Sequence, residues 1–243
     1  MLKVNAQVLQ LVQSDSLWHI KLTTIGLYTD GNQPRSLFTN KANLTKVGKW
    51  LGFISNNTLQ YGTVGKSKMV AYKDIRSENL FVLLPRKRFS PFIREYVETN
   101  KLRQIVFRNE LALGGFYKVI TQKQHYLNLM AGVINQTTNY RTSIFNIIDN
   151  YASDKRNVWK WATGILGINT IVKDRLSAEY RLFYMQNVAL AKDYNYLIDV
   201  SLNAKIIKGL AFNINYFQTF ENVEMKGILP KEIQLTYGLS YQF

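Results

Sequence analysis

EIQLTYGLSYQF, from Glu232 to Phe243, is the stretch that decides the fold. Ile233, Leu235, Tyr237, Leu239, Tyr241 and Phe243 fall on one side of an extended chain, and Glu232, Gln234, Thr236, Gly238, Ser240 and Gln242 on the other. Strand side chains alternate with period two, so the segment is predicted to be a strand with one apolar and one polar face. The apolar face closes on aromatics, which favour the boundary between hydrocarbon and water. Apolar outside, polar inside and aromatic at the interface is the pattern of a transmembrane barrel strand. A half-buried strand of a soluble sandwich or barrel would alternate in the same way, so the rest of the chain has to decide.

Working outward, the composition is that of a folded β protein. Of 243 residues, 47% are hydrophobic and 19% charged, and aromatics reach 13% with 15 Tyr and 13 Phe against only 4 Pro. Tyr-rich, Pro-poor sequence favours strands. With no Cys, disulfides, thiolate nucleophiles and Cys-based zinc sites are excluded. Lys and Arg number 31 against 16 Asp and Glu, a net charge of +15. Such a surplus points to a polyanionic neighbour, either nucleic acid or a membrane surface. No apolar run reaches the ~20 residues that a transmembrane helix needs. Val4-Asn5-Ala6 before Gln7 has the small residues of a signal cleavage site, so Met1 to Ala6 is expected to be a signal-peptide remnant. Residues 1–15 then form an N-terminal segment and 16–243 one β domain.

Some twelve strand-like runs follow, with ten as the alternative count. They cover Ser16–Thr29, Arg35–Val47, Trp50–Thr63, Met69–Leu84, a short run Phe92–Glu98, Gln104–Val119, Tyr126–Asn135, Val158–Ile171, Leu176–Met185, Tyr194–Ile206, Leu210–Phe220 and the closing strand. In the sixth run Ile105, Phe107, Leu111, Leu113, Tyr117 and Val119 share one face, and Arg108, Glu110, Ala112, Gly114 and Lys118 the other. Gln136 to Asn157 breaks the rhythm and is expected to be a long functional loop, its Ile and Phe residues forming a small helix or lid over a barrel mouth. Short links at Gly48-Lys49, Thr121 to Gln124, Lys173-Asp174 and Lys208-Gly209 alternate with longer ones, as in an up-and-down barrel with short periplasmic turns and long outer loops. Pro85 to Pro91 is the long exception on the short-turn side. The predicted fold is therefore all-β: one transmembrane up-and-down antiparallel β-barrel, closed by pairing of the last strand with the first.

The strand phases place Asp74, Arg76, Glu78, Arg108, Glu110, Glu179, Arg181, Asp199 and Glu232 in the lumen. Both signs are mixed, which favours ion pairs filling a narrow interior over the one-sign lining of a selective pore. The surplus positive charge sits in the connections. Arg86, Lys87, Arg88, Lys173, Arg175 and Lys208 form a basic rim on the predicted periplasmic side, and Lys66, Lys68, Lys101, Arg103, Lys155, Arg156, Lys192, Lys226 and Lys231 lie outside. Basic residues at both ends suit lipid phosphates or acidic partner proteins, and argue against a nucleic-acid footprint along one face. His19 and His125 lie strands apart with no cue pairing either with a nucleophile, and no His, Asp or Glu spacing suggests a metal site. Gly65-Lys66-Ser67 lacks the rest of a phosphate loop and reads as a turn. Neither catalysis nor a cofactor is expected.

Three stretches carry a resemblance to a known family. LYTDGN at Leu27 to Asn32, ELALGGFYKVI at Glu110 to Ile120 and LTYGLSYQF at Leu235 to Phe243 resemble the outer-membrane barrels of the domain-of-unknown-function-481 family, which includes a salt-induced outer-membrane protein. The Gln-Phe ending and Tyr-rich strands are similar to barrels of the Bacteroidetes. The resemblance implies a bacterial outer-membrane location and no catalytic residues. Tyr237, Leu239, Tyr241 and Phe243 resemble the signal that barrel-assembly machinery reads during insertion. From all this a structural or partner-binding barrel with a narrow, largely filled lumen is expected, with a narrow pore for small solutes, anionic ones included, as the alternative; a soluble ligand-binding barrel and a membrane-embedded lipid enzyme rank below both. The partners implied are phospholipid and lipopolysaccharide, the assembly machinery, and another envelope protein met through the periplasmic turns or the 136–157 loop.

Overall fold

The computed structural model describes residues 17–29, 35–65, 69–122, 124–142, 144–146 and 154–242. Residues 1–16, with the expected signal-peptide remnant, and Phe243 lie outside them. Twelve antiparallel strands follow in chain order: β1 Trp18–Thr29, β2 Arg35–Val47, β3 Leu51–Val64, β4 Met69–Leu83, β5 Phe89–Asn100, β6 Ile105–Thr121, β7 His125–Tyr140, β8 Lys155–Val172, β9 Leu176–Asn187, β10 Tyr194–Ile207, β11 Leu210–Glu221 and β12 Lys231–Gln242. Each pairs with its sequence neighbours, and β12 returns to β1 through Leu22↔Tyr241 and Thr24↔Leu239, which closes the barrel. Closure matters because an open edge would leave a row of unpaired N–H and C=O groups. A strand of 12 residues already exceeds the 9–11 that a tilted strand needs to cross a bilayer.

Three sequence expectations are corrected. β5 starts at Phe89 and continues to Asn100, so Pro91 lies within a strand, opposite Gly115. The supposed loop from Gln136 to Asn157 is largely strand: β7 runs on to Tyr140 and β8 begins at Lys155, which leaves residues 141–154 as the connection. The alternation was hidden there because both faces are polar; Gln136 and Thr138 are buried inside, while Asn135 bonds Asn157 on the exposed side. No helix forms among the described residues of that connection; instead Phe145 makes a β-bridge to Met225 in the link after β11. Finally, a register shift between Ile105 and Phe107 turns Ile105 away from its expected face, and it is buried.

Sequence alternation becomes two unlike surfaces. The outer wall is apolar, with Leu59, Ile75, Leu113, Val133, Leu182 and Ile233 all exposed. Aromatics ring both ends of that belt. At the short-turn end Trp18 packs edge-on to Phe53, and Phe53 packs on Phe81. At the long-loop end Trp161, Tyr184, Tyr194, Phe220 and Tyr196 form a continuous run of ring contacts. The inner wall is divided. Toward β5–β9 it is apolar, with Phe92 and Phe116 in ring contact at 4.6 Å among Val82, Ile134 and Leu166. Gly114 and Gly132 face each other across β6 and β7, and a Cβ on Gly132 would stand 2.6 Å from the Leu113 carbonyl, so this wall closes only without side chains there. The remaining inner wall carries the polar and charged groups.

Candidate functional site

Among the described residues the lumen brings buried charges of both signs together, so the site is built from its inward-facing side chains. β4 presents Arg76 and Glu78, β5 Arg94 and Glu98, β6 Arg108 and Glu110, β9 Arg181 and β10 Asp199. Period-two alternation aims each inward, and the neighbouring strand supplies its first partner.

Several links span the lumen between strands that are not neighbours in the sheet, Lys41 to Asn215 and Gln60 to Gln234 among them. Near the long-loop end, Arg108 donates through Nη1 and Nη2 to the two carboxylate oxygens of Glu221 at 2.7 and 2.9 Å, joining β6 to β11. Arg103, in the β5–β6 turn, donates to Glu221 at 2.8 Å and also pairs with Glu224, while Arg108 reaches Glu98 at 3.2 Å and Arg76 reaches Glu98 at 3.3 Å. Lower down, Arg76 lies over the ring of Phe217 at 5.3 Å. At mid-height Arg181 donates to Glu78 at 3.3 Å, joining β9 to β4. Glu78 also accepts from Arg94 at 2.5 Å and from Asn56 at 3.1 Å; Arg94 continues to Glu110 at 3.0 Å, and Arg181 to Asp199 at 2.5 Å. A forked guanidinium on a carboxylate is the strongest and most directional of side-chain pairs, which suits it to hold opposite walls in one register.

Above the upper network sits an apolar seal. Ile105, Tyr140, Phe145, Val223 and Met225 form a buried cluster, with the Tyr140 and Phe145 rings edge to face at 5.1 Å. Below it, a cavity of about 150 Å³ occupies the barrel centre, lined by Lys41, Glu78, Arg94, Arg181 and Asp199 together with the apolar Met130, Ile134 and Phe183.

The sequence-predicted residues divide accordingly. Arg76, Glu78, Arg108, Glu110, Arg181 and Asp199 belong to the lumen networks. Asp74 instead caps the β5–β6 turn by accepting from the Lys101 amide at 2.8 Å. Glu179 accepts from Asn203, and Glu232 from Gln234, apart from those networks. Arg103 and Arg156 were expected in the basic outer loops and are corrected: both are buried, Arg103 on Glu221 and Glu224 and Arg156 on Asp193. Arg94 and Glu98 were missed, although continuing the alternation of β5 from Phe92 would have found them. Glu221, Glu224 and Asp193 stand at strand ends or in links, where no periodicity marks them. Arg86, Lys87 and Arg88 lie in the β4–β5 connection, Lys173 and Arg175 at the β8–β9 turn and Lys208 at the β10–β11 turn; all are exposed and all lie at the short-turn end. At that end Lys46 covers Trp18 at 4.9 Å, Lys49 covers Trp50 at 5.5 Å and Arg88 covers Tyr117 at 5.1 Å. Tyr237, Leu239 and Tyr241 face outward and are exposed. His125 bonds Asn169 at 3.1 Å, and no group of His, Asp or Glu among the described residues is arranged to hold a metal ion.

A closed antiparallel barrel with an apolar belt, aromatic girdles and a polar lumen is the build of a transmembrane β-barrel. The chain belongs to the family described as protein of unknown function, DUF481, whose model matches residues 9–243. No curated protein matches it in sequence. Among solved structures it is similar to the NanC porin, with a TM-score of 0.52, 7% identity, and coverage of 91% of this chain and 98% of that one. It also aligns with the translocator domain of the autotransporter NalP from Neisseria meningitidis, at TM-score 0.47 and 9% identity over 95% of this chain and 90% of that one. At such identities the likeness concerns the fold alone.

Proposed function

We propose that this protein is an outer-membrane barrel with a structural or partner-binding role, its lumen braced by ion pairs and largely filled. The observation that supports this most is the bidentate Arg108–Glu221 link beneath the apolar seal, with the Arg181–Glu78 link below it. A conducting pore keeps its charges solvated along an open path; here guanidinium and carboxylate neutralise each other across that path. The outer wall supports the membrane reading, and the cation-over-aromatic pairs at the short-turn end supply positive charge at the depth of lipid phosphates. The aromatic outward face of β12 is the surface offered to assembly machinery, and the basic short turns are the surface offered to an acidic envelope partner.

A second reading, a narrow pore for small anionic solutes, is favoured by one feature: Lys41, Arg94 and Arg181 all border the central cavity. Planar-bilayer recording separates the two. The braced-barrel reading expects no discrete channel events at modest voltage; resolved events that favour anions would replace it with the pore.

A further inference from the structure

Among the described residues the apolar outer wall is broken by polar side chains in several places, Thr24 with Asn40 and Asn135 with Asn157 among them, and one patch ends on a carboxylate. On β3, β4 and β5, side chains facing away from the lumen are Ser55, Asn57, Ser77, Asn79 and Glu95. They form a directed hydrogen-bonded chain: Ser77 Oγ donates to Asn57 Oδ1 at 2.8 Å, Asn57 Nδ2 to Ser55 Oγ at 2.9 Å, Ser55 Oγ to Asn79 Oδ1 at 2.9 Å, and Asn79 Nδ2 to Glu95 Oε2 at 3.4 Å. The chain ends on an exposed carboxylate. Glu95 lies six residues beyond Phe89 and five before Asn100, at the middle of its strand. Farther round the wall, β6, β7, β9 and β10 expose Leu113, Val133, Leu182 and Leu202. A carboxylate facing hydrocarbon at mid-depth is costly, so such positions are occupied where protein covers them.

The arrangement also states what covers it. Asn57 lies six residues beyond Leu51, Ser77 six before Leu83 and Glu95 six beyond Phe89, so the three stand on adjacent strands at one depth. Read across the wall, the row runs amide, hydroxyl, carboxylate. A two-fold axis along the membrane normal and passing by Ser77 would set Asn57 of one copy against Glu95 of the other, twice, with the serines facing each other. Each flank then sets an amide donor against a carboxylate acceptor, which is the self-complementarity an isologous interface requires. Above and below the row, Leu59, Ile75, Phe81 and Ile93 are exposed and would pack as an apolar rim. We infer that this face of β3–β5 docks a second copy of the chain inside the membrane. The inference rests on the membrane reading of the barrel.

The chain holds no cysteine, so an introduced one is unique. The experiment places Ser77→Cys in the protein in its native membrane, oxidises with copper phenanthroline, and compares Leu182→Cys on β9. A disulfide-linked band of twice the chain mass from Ser77→Cys, with Leu182→Cys remaining monomeric, is the expected result. Asn57→Leu with Glu95→Leu, retaining heat-modifiable migration as the sign of a folded barrel, should lower the dimer fraction in mild detergent by about tenfold, the loss of one or two hydrogen bonds. A folded Ser77→Cys that stays monomeric overturns the inference, as does an adduct of another mass, which would make the partner a different membrane protein. Failure of the membrane reading looks different: the protein would then leave the membrane fraction without detergent.

Discussion

Glu221 holds together the upper half of the lumen, and removing its charge is the sharpest perturbation available. Around it lie three guanidiniums, Arg76, Arg103 and Arg108, and two further carboxylates, Glu98 and Glu224. The Arg108 and Glu98 side chains are 4% and 5% exposed, so water can replace little of a lost partner. In Glu221→Leu, the buried Arg103 and Arg108 and the half-buried Arg76 face two carboxylates. One unit charge pair at 4 Å in an effective dielectric of 20 is worth ~4 kcal/mol, and breaking a buried pair on one side costs roughly 3–5 kcal/mol. The single variant is expected to lose about that much. Arg108→Met combined with Glu221→Leu restores the balance, leaving Arg103 on Glu224 and Arg76 on Glu98, and should recover most of the loss because a well-packed apolar replacement of a buried pair is close to neutral. Urea unfolding of barrels refolded in phospholipid vesicles, followed by fluorescence of the four tryptophans, measures both. A single variant within about 1 kcal/mol of the parent, or a double variant as weak as the single, would refute the bracing role.

Three further outcomes are expected. Arg181→Ala removes the mid-height crosslink to Glu78 and should raise ion conductance in planar bilayers above that of the parent; unchanged silence would mean the apolar seal alone blocks the lumen. Leu113→Arg puts a charge at the middle of the outer belt and should cost about 2–4 kcal/mol in vesicle refolding, whereas a negligible cost would show that this wall does not face lipid. Gly132→Val forces a Cβ onto the Leu113 carbonyl and should cost roughly 1–3 kcal/mol, while Gly26→Ala, whose Cβ would meet the Phe38 ring at an ordinary 3.6 Å, should be near neutral; thermal loss of the heat-modifiable band ranks the two.

How much of this could be read from the residues follows from what each feature depends on. Where one face is apolar, period two is visible, so β12, β6 and the strands from β8 to β11 could be placed closely from sequence. Where both faces are polar, as from Gln136 to Tyr140, the pattern vanishes although the strand continues, because burial there comes from the lumen and not from hydrophobicity. The inward charges of β4, β6, β9 and β10 follow from phase. Their partners do not: Arg108 and Glu221 are more than a hundred positions apart, and only closure of the barrel brings β6 to β11. Arg103 looked like a loop cation because it sits between Asn100 and Gln104 in a turn, yet that turn folds inward over the lumen and delivers it to Glu221 and Glu224. Glu95 was legible in principle, being a charge at an outward position between Ile93 and Val97.

The claim on which the rest depends is that the apolar outer wall lies in a lipid bilayer of the outer membrane. Fractionation of cells producing the full-length protein, followed by alkaline carbonate extraction and gel migration with and without boiling, tests it most directly. The protein should stay with the outer-membrane fraction, resist carbonate, and migrate faster unboiled than boiled. Recovery as a soluble monomer without detergent would contradict it.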